Sequence, residues 1–310
     1  MNSFTLSVPG NLLLAGEYAV TEEGGLGITL GVEPRITLTA NISEHWLLEG
    51  FWPGGNESYS PGETRSNLLS AVWNQFYGQS GPPVGQPWHL KVDSTAFFDL
   101  LGRKKGFGSS AATAAVVTAA LLVLQNTPRQ ELAHKAFLPA VKAHRFFQGG
   151  KGSGYDVAAS LFGQTGIFTG GEIPQWTPIS LPPLQKAYLC SGPQAVRTVS
   201  ALASYDQWKI TAPEAARIFQ EKNNQLIQTL TRESDLPRFW DEIQKLSMGL
   251  GNSIGVSADL PQETKVALGL IPGNWKCLGA GNELVLTWNR DTPPHRGDLL
   301  KSSKEGIKWE

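Results

Sequence analysis

Four short stretches of this chain carry residues whose types and spacing could do chemistry. The richest is Lys104-Lys105-Gly106-Phe107-Gly108-Ser109-Ser110-Ala111-Ala112, which runs into a small apolar series ending at Leu124. A loop with two glycines and two serines opens a strong helix former here. Such a start leaves backbone N–H groups unpaired at the positive end of the helix dipole. The glycines admit an anion close to the backbone and the lysines add charge, so the stretch reads as a phosphate cradle. The same residues also fit an ordinary helix start after a turn, because a G-x-G pattern alone is weak.

The second stretch, Gln148-Gly149-Gly150-Lys151-Gly152-Ser153-Gly154-Tyr155-Asp156, puts a carboxylate at a helix start behind a flexible turn. By itself Asp156 reads as a helix N-terminal charge, worth under ~1 kcal/mol. The third stretch runs from Pro9-Gly10-Asn11 through Glu17-Tyr18-Ala19-Val20, and alone it would be a hairpin. The fourth, Gly279-Ala280-Gly281, is a turn whose small residues leave room for a ligand.

The elements that must position these groups follow from periodicity and breakers. Residues 4–8 and 11–16 read as short strands around a Pro-Gly turn. Residues 27–32 and 35–42 read as a strand pair broken at Glu33-Pro34, and 50–61 as a Gly/Pro/Trp-rich loop. A helix is expected over 65–77 from Leu68, Leu69, Val72 and Phe76, then a linker-like loop over 78–87 and a strand over 88–92. Helices are expected over 110–125 and 128–147, the second with Thr127 as cap and Pro128 in its first turn. A short helix over 157–162, a strand over 165–169 and a loop over 170–183 follow. The remainder reads as a strand over 186–190, helices over 213–231 and 236–250, and a strand, turn and strand over 275–278, 279–282 and 283–288. Strands and helices mix without strict βαβ alternation, which predicts an α+β fold rather than one doubly wound sheet.

Bulk properties narrow the partners. With 310 residues the chain can form two domains or one large one, and a net charge of −1 gives no field that draws it to nucleic acid or a membrane surface. Anion binding must therefore be local. Two cysteines, Cys190 and Cys277, are too few for a disulfide framework and read as buried thiols. The five histidines lack an HxH or HExxH pair, which argues against zinc. The start of the chain has no basic region before an apolar run, and the longest apolar run, 111–124, is shorter than the ~20 residues a membrane span needs. A cytoplasmic protein is expected.

Taken together, these motifs resemble those of the GHMP small-molecule kinases, a group that includes galactokinase, homoserine kinase, mevalonate kinase and phosphomevalonate kinase. Their first motif, roughly P-G-K-x-x-L-x-G-E-Y/H-A-V, is matched by residues 9–20 except at Asn11, where the family has lysine. Their G-L-G-S-S-A motif is matched by residues 106–111. Their third, G-A-G-G-G, is matched only by Gly279, Ala280 and Gly281, with Asn282-Glu283 in place of the glycine run. Within the group the chain is most similar to phosphomevalonate kinase, whose K-x-G-L-G-S-S and Q-G-K-x-G-S-G-F-D-V-A-A segments resemble residues 104–110 and 148–159. The second of these has an extra glycine and a shifted lysine here.

The resemblance implies a two-lobed α+β GHMP kinase fold with ATP in the cleft between lobes, an N-terminal lobe over 1–170 and a C-terminal lobe over 171–310. It implies ATP and Mg²⁺ as cofactors, with Gly106, Gly108, Ser109, Ser110 and Ala111 around the phosphates and Ser110 in the Mg²⁺ shell. Asp156 would take or orient the proton of the attacking group, and Lys104 would neutralise anionic oxygens. Asn11, Glu17, Tyr18, Lys151, Ser153, Gly154, Arg197, Gly279, Ala280 and Gly281 would line the acceptor site. Phosphoryl transfer needs mainly positioning and charge stabilisation. The implied acceptor is a phosphorylated small molecule, (R)-5-phosphomevalonate, with mevalonate or another acceptor of this group as the alternative. The expected protein is a monomer or homodimer with no nucleic-acid or membrane partner. Asn11 opens a further alternative, a degenerate homologue that binds nucleotide or metabolite without turnover.

Two rival patterns are present in the sequence. Gly106-x-Gly108-x-x-Ala111 mimics a dinucleotide fingerprint but lacks a buried strand before it and an acidic residue ~20 positions on. Gly251-Asn252-Ser253-Ile254-Gly255 fits G-x-S-x-G, with Asp291 and His295 following in hydrolase order, but it trails a helical pattern rather than a strand. No Walker-type loop is present.

Overall fold

Apolar residues dominate the first fifteen positions, and they build one strand, β1 (Ser3–Ala15), not two strands around a turn. Pro9-Gly10 lies inside it. The glycine serves close approach instead: a Cβ on Gly10 would lie 2.9 Å from the Phe107 Cβ, and the next residue, Asn11, donates its N–H to the Phe107 carbonyl at 3.1 Å. The break expected at Glu33-Pro34 is likewise absent, since β2 runs unbroken over Leu26–Ile42. The expected loop over 50–61 is a hairpin of β3 (Leu47–Trp52) and β4 (Gly55–Tyr59), registered by Trp52 opposite Gly55. Its turn chemistry masked the two strands that it joins.

The computed structural model describes residues 1–78, 85–181, 184, 186–193, 198–230, 235–289, 294 and 297–310. Helix α1 (Leu68–Tyr77) starts on a reciprocal cap: the Ser70 N–H donates to Asn67 Oδ1, and the Asn67 N–H donates to Ser70 Oγ. Strand β5 (Trp88–Asp93) and helix α2 (Ser109–Leu124) follow. Pro128 introduces a short 3₁₀ turn (Arg129–Glu131) before α3 (Leu132–Phe147), so Thr127 does not cap α3 as expected. Then come α4 (Tyr155–Phe162), β6 (Thr165–Thr169), β7 (Gln175–Pro178) and β8 (Tyr188–Ser191). The last third holds α5 (Thr198–Thr211), α6 (Pro213–Leu230), α7 (Leu236–Ile254) and α8 (Gln262–Ala267). It closes with β9 (Trp275–Leu278), β10 (Leu284–Thr287), β11 (Gly297–Leu299) and β12 (Lys308–Trp309). Strand β7 lies in the expected loop, and α5 lies where no element was expected. The mixture is α+β.

The chain forms two units. The first comprises Met1–Leu12, Leu30–Gln164 and Ser302–Glu310, and the second Leu13–Thr29 and Thr165–Lys301. The boundaries fall at 12/13, 29/30, 164/165 and 301/302, the first two inside β1 and β2. In the first unit the strand order is β12-β1-β2-β5-β3-β4, with β3 parallel to β5. Helix α2 has no polar face: every residue from Ala111 to Val123 is buried. A helix apolar all round belongs in a core, and its small side chains let neighbours approach on every side.

In the second unit β11-β8-β10-β9 form an antiparallel sheet. One core cluster there gathers Tyr18, Tyr205, Phe219, Leu250 and Ile254, with the Tyr18 and Tyr205 rings 5.1 Å apart. A second gathers Cys190, Leu260, Trp275, Cys277 and Val285. No helix among the described residues is long and apolar enough to cross a membrane.

Candidate active site

The first unit brings three of the sequence motifs together. Gly108 is the residue before α2 and is left-handed at φ 68°, and no side chain caps the helix. A Cβ on Gly108 would sit 2.2 Å from Asn11 Oδ1, so the loop closes over the asparagine only because this position is glycine. Asn11 is 3% exposed. Its Nδ2 donates to Ser160 Oγ at 3.0 Å and to the Gly108 carbonyl at 3.3 Å. Where the resemblance implies a lysine, this chain has a neutral tie between β1, the glycine loop and α4. The first turn of α2 carries no acidic residue, so the free N–H groups and the dipole stay available to an anion.

Ser110, in that first turn, and Asp156, in the first turn of α4, meet on a residue that sequence reading passed over. His144, near the end of α3, is 2% exposed. Its Nε2 lies 3.1 Å from Ser110 Oγ, and its Nδ1 lies 3.6 Å from Asp156 Oδ2. Asp156 Oδ1 also accepts the Val157 N–H at 2.9 Å. The neighbouring Arg145 was missed too: its Nε donates to the Gly152 carbonyl at 2.8 Å and its Nη2 to the Ser153 carbonyl at 2.7 Å. That clamp holds the second glycine-rich loop. Gly154 begins α4 at φ 91°, where a Cβ would meet the Val141 side chain at 2.7 Å. A signal for both residues existed, since basic side chains favour the last turn of a helix, and here that turn leads straight into the Asp156 loop.

Lys104 and Lys151 are exposed in the two loops. The Lys104 backbone bridges to Phe98, and the turn between them is tied by Asp99 and Arg103, whose Nη2 and Oδ2 lie 2.7 Å apart. The Arg103 backbone N–H and side chain hold the Asp99 carboxyl below its usual range. Ser153 and Gly154 are buried, while Gly106, at φ 79°, is exposed.

The second unit gathers the remaining motif residues. Glu17 accepts from Lys276 Nζ at 2.7 Å, in a pair of which the lysine is 1% and the glutamate 8% exposed. Lys276 Nζ also donates to the Cys277 carbonyl at 2.9 Å. Burial raises the Glu17 carboxyl, against the lowering pull of Lys276. The Tyr18 hydroxyl donates to the Ala280 carbonyl, so the first and third motifs are joined directly. Burial, aided by the Glu17 charge, moves the Tyr18 hydroxyl upward. A small cavity is lined by Glu17, Tyr18, Ser247, Lys276, Cys277 and Gly279, among others. Burial pushes the Cys277 thiol up to about 12, which leaves it unreactive. Asn282, which replaces a glycine of the third motif, is buried and donates to the Asp259 carbonyl at 2.9 Å. Arg197, expected at the acceptor, lies outside the described residues.

The rival patterns lose their context. Ser253 sits inside α7 and its hydroxyl donates to the Gly249 carbonyl at 3.1 Å, so it stands on no strand-to-helix elbow; Asp291 and His295 lie outside the described residues. Residues 102–105 form no strand ahead of the glycine loop.

Residues 67–164, which span α1 to α4, match the family model of the GHMP kinases N terminal domain. No curated protein sequence matches the chain. Among solved structures, the Lin0012 protein from Listeria innocua superposes with a TM-score of 0.82 at 20% identity, over 100% of this chain and 99% of that one. Streptococcus pneumoniae phosphomevalonate kinase, in complex with phosphomevalonate and AMPPNP, gives 0.67 at 16% identity over 92% of both chains. Lactococcus lactis galactokinase complexed with galactose gives 0.67 at 13% identity over 99% and 95%. The fold is that of the GHMP kinases.

Proposed function

We propose that the chain is an ATP-dependent small-molecule kinase of the GHMP type and that its acceptor is (R)-5-phosphomevalonate. One observation carries the kinase reading: the uncapped N-terminus of α2, with Ser110 in its first turn tied through His144 to Asp156. The residues fit a nucleotide with Mg²⁺. The helix start supplies donors for phosphate oxygens, and the Ser110 hydroxyl supplies an oxygen ligand. Mg²⁺ binds through few protein ligands plus substrate phosphates, which suits a site where, among the described residues, no group of three or more His, Cys, Asp or Glu gathers. Bound Mg·ATP would supply the electrophilic γ-phosphorus and the neutralisation of its oxygens.

This chain's own groups would then do the following. The N–H groups at the start of α2 orient the phosphates. Asp156 accepts the proton of the attacking acceptor group or, where that group is already ionised, orients it. Lys104 and Lys151 hold anionic oxygens. The acceptor choice rests on residues 148–159, which resemble the phosphomevalonate kinase segment. A coupled ADP-release assay over phosphomevalonate, mevalonate and galactose tests the reading. Turnover with phosphomevalonate alone is the expected result. Turnover with another acceptor overturns the substrate, and tight Mg·ATP binding without turnover on any acceptor favours the non-catalytic binder, to which the neutral Asn11 points.

A further inference from the structure

His144 lies between Ser110 and Asp156, one at each ring nitrogen, and is the only one of the three with no motif behind it. In the neutral ring one nitrogen carries the proton and the other accepts. The nitrogen distances are 3.1 Å from Nε2 to Ser110 Oγ and 3.6 Å from Nδ1 to Asp156 Oδ2. A bare Nδ1 would set a lone pair against a carboxylate in a site where His144 is almost fully buried, and electrostatics are strong where water is scarce. A protonated Nδ1 sets a positive ring edge there instead. The carboxylate thus selects the tautomer. With Nδ1 protonated, Nε2 must accept, so the serine hydroxyl donates inward and its oxygen lone pairs turn away from the ring.

We infer that His144 is a positioning residue: held as the Nδ1–H tautomer by Asp156, it draws the Ser110 hydroxyl proton inward and presents the Ser110 oxygen as an acceptor for a cation. This rests on the kinase reading for its cation, Mg²⁺ with ATP, but not for its tautomer. The histidine also links the two helix starts, α2 by a hydrogen bond to Ser110 and α4 by its contact with the Asp156 carboxylate. A change at Asp156 is then felt at Ser110.

Two measurements test it. Long-range proton–nitrogen correlation spectra of the nucleotide-free chain report which nitrogen of His144 is protonated. The expected result is Nδ1–H in the parent, with the Nε2–H form gaining population in Asp156→Ala. A parent with Nε2 protonated, alone or together with Nδ1, or a tautomer that ignores Asp156→Ala, overturns the inference. The second measurement uses two near-isosteres. A glutamine amide reaches as far as Nε2 and an asparagine amide as far as Nδ1. His144→Gln keeps the Ser110 contact, so KM for Mg·ATP should stay within about twofold of the parent while kcat falls about 10²-fold through the displaced Asp156. His144→Asn keeps the Asp156 contact, and its KM for Mg·ATP should rise about tenfold with a smaller loss of kcat. Equal losses in both variants, tracking only their thermal stability, mark a purely structural histidine and overturn the proposal. A parent that turns over no acceptor overturns the kinase reading instead, and the ring spectra still decide the tautomer without nucleotide.

Discussion

The two units solve the same problem, a glycine-rich turn next to polar side chains, in opposite ways. In the first unit the polar groups are linked by hydrogen bonds and a histidine, the cations sit exposed in loops, and the helix start points free donors outward. In the second, Lys276 and Glu17 are buried together, Tyr18 closes on the Ala280 carbonyl, and Asn282 turns its amide to Asp259. The contrast teaches that a glycine motif is not a ligand site by composition. What matters is which of its backbone groups neighbouring side chains engage and which they leave free. By this measure the uncapped start of α2 is open, whereas Ala280 is tied through its carbonyl to Tyr18 in the packing of its own unit.

The sharpest way to break the comparison is at the open site. Asp156→Asn should lower kcat by about 10²–10⁴, as loss of a general base does, with ATP affinity nearly unchanged because an asparagine oxygen can still face His144 Nδ1–H and keep its tautomer; calorimetry and initial rates read both. Full activity in this variant would remove Asp156 from the reaction.

At the closed site the expected effect is on stability. Lys276→Met leaves the buried Glu17 carboxylate unpaired and should cost about 3–5 kcal/mol in denaturant unfolding. Adding Glu17→Gln to it should recover part of the loss, and strictly additive losses would mean that the pair is not coupled. The sign of the pH effect is fixed by burial. Because the folded value of Glu17 lies above its unfolded value of about 4.3, the folded state binds more protons in that window. The stability this group contributes is complete below about pH 4.3 and declines as pH rises through the folded value. Glu17→Gln should flatten that decline.

Gly108→Val tests the join between loop and asparagine. A β-branched residue at φ 68° costs about 1–2 kcal/mol, and its Cβ would meet Asn11 Oδ1 at 2.2 Å. Lower stability together with weakened ATP binding is expected, and parental ATP affinity would move the cradle elsewhere. The smallest effect belongs to Tyr18→Phe, which removes one hydrogen bond to Ala280 and should cost about 0.5–1.5 kcal/mol, with no change in ATP affinity if the first-unit site alone holds the phosphates.

Local pattern by itself determined most helices and the glycine loops. The apolar spacing of α1, α6 and α7, the small residues of α2, and Gly106 and Gly108 ahead of it are all determined within a turn or two of chain, so propensity and periodicity reveal them. The resemblance in residues 9–20, 104–111 and 148–159 was likewise legible, because each motif is contiguous. What tertiary structure decided was everything that depends on residues far apart in the chain. Pro9-Gly10 and Glu33-Pro34 look like turns locally, yet lie within continuous strands, as Gly10 packing on Phe107 illustrates. His144 reads as one basic residue at a helix end until α2 and α4 bring Ser110 and Asp156 to its two nitrogens. Lys276 lies in the strand expected over 275–278, and nothing local says that β9 buries it on Glu17, 259 positions away. Sequence spacing carries no term for such distances. They are set only when the chain closes its loops and packing makes those contacts more favourable than water.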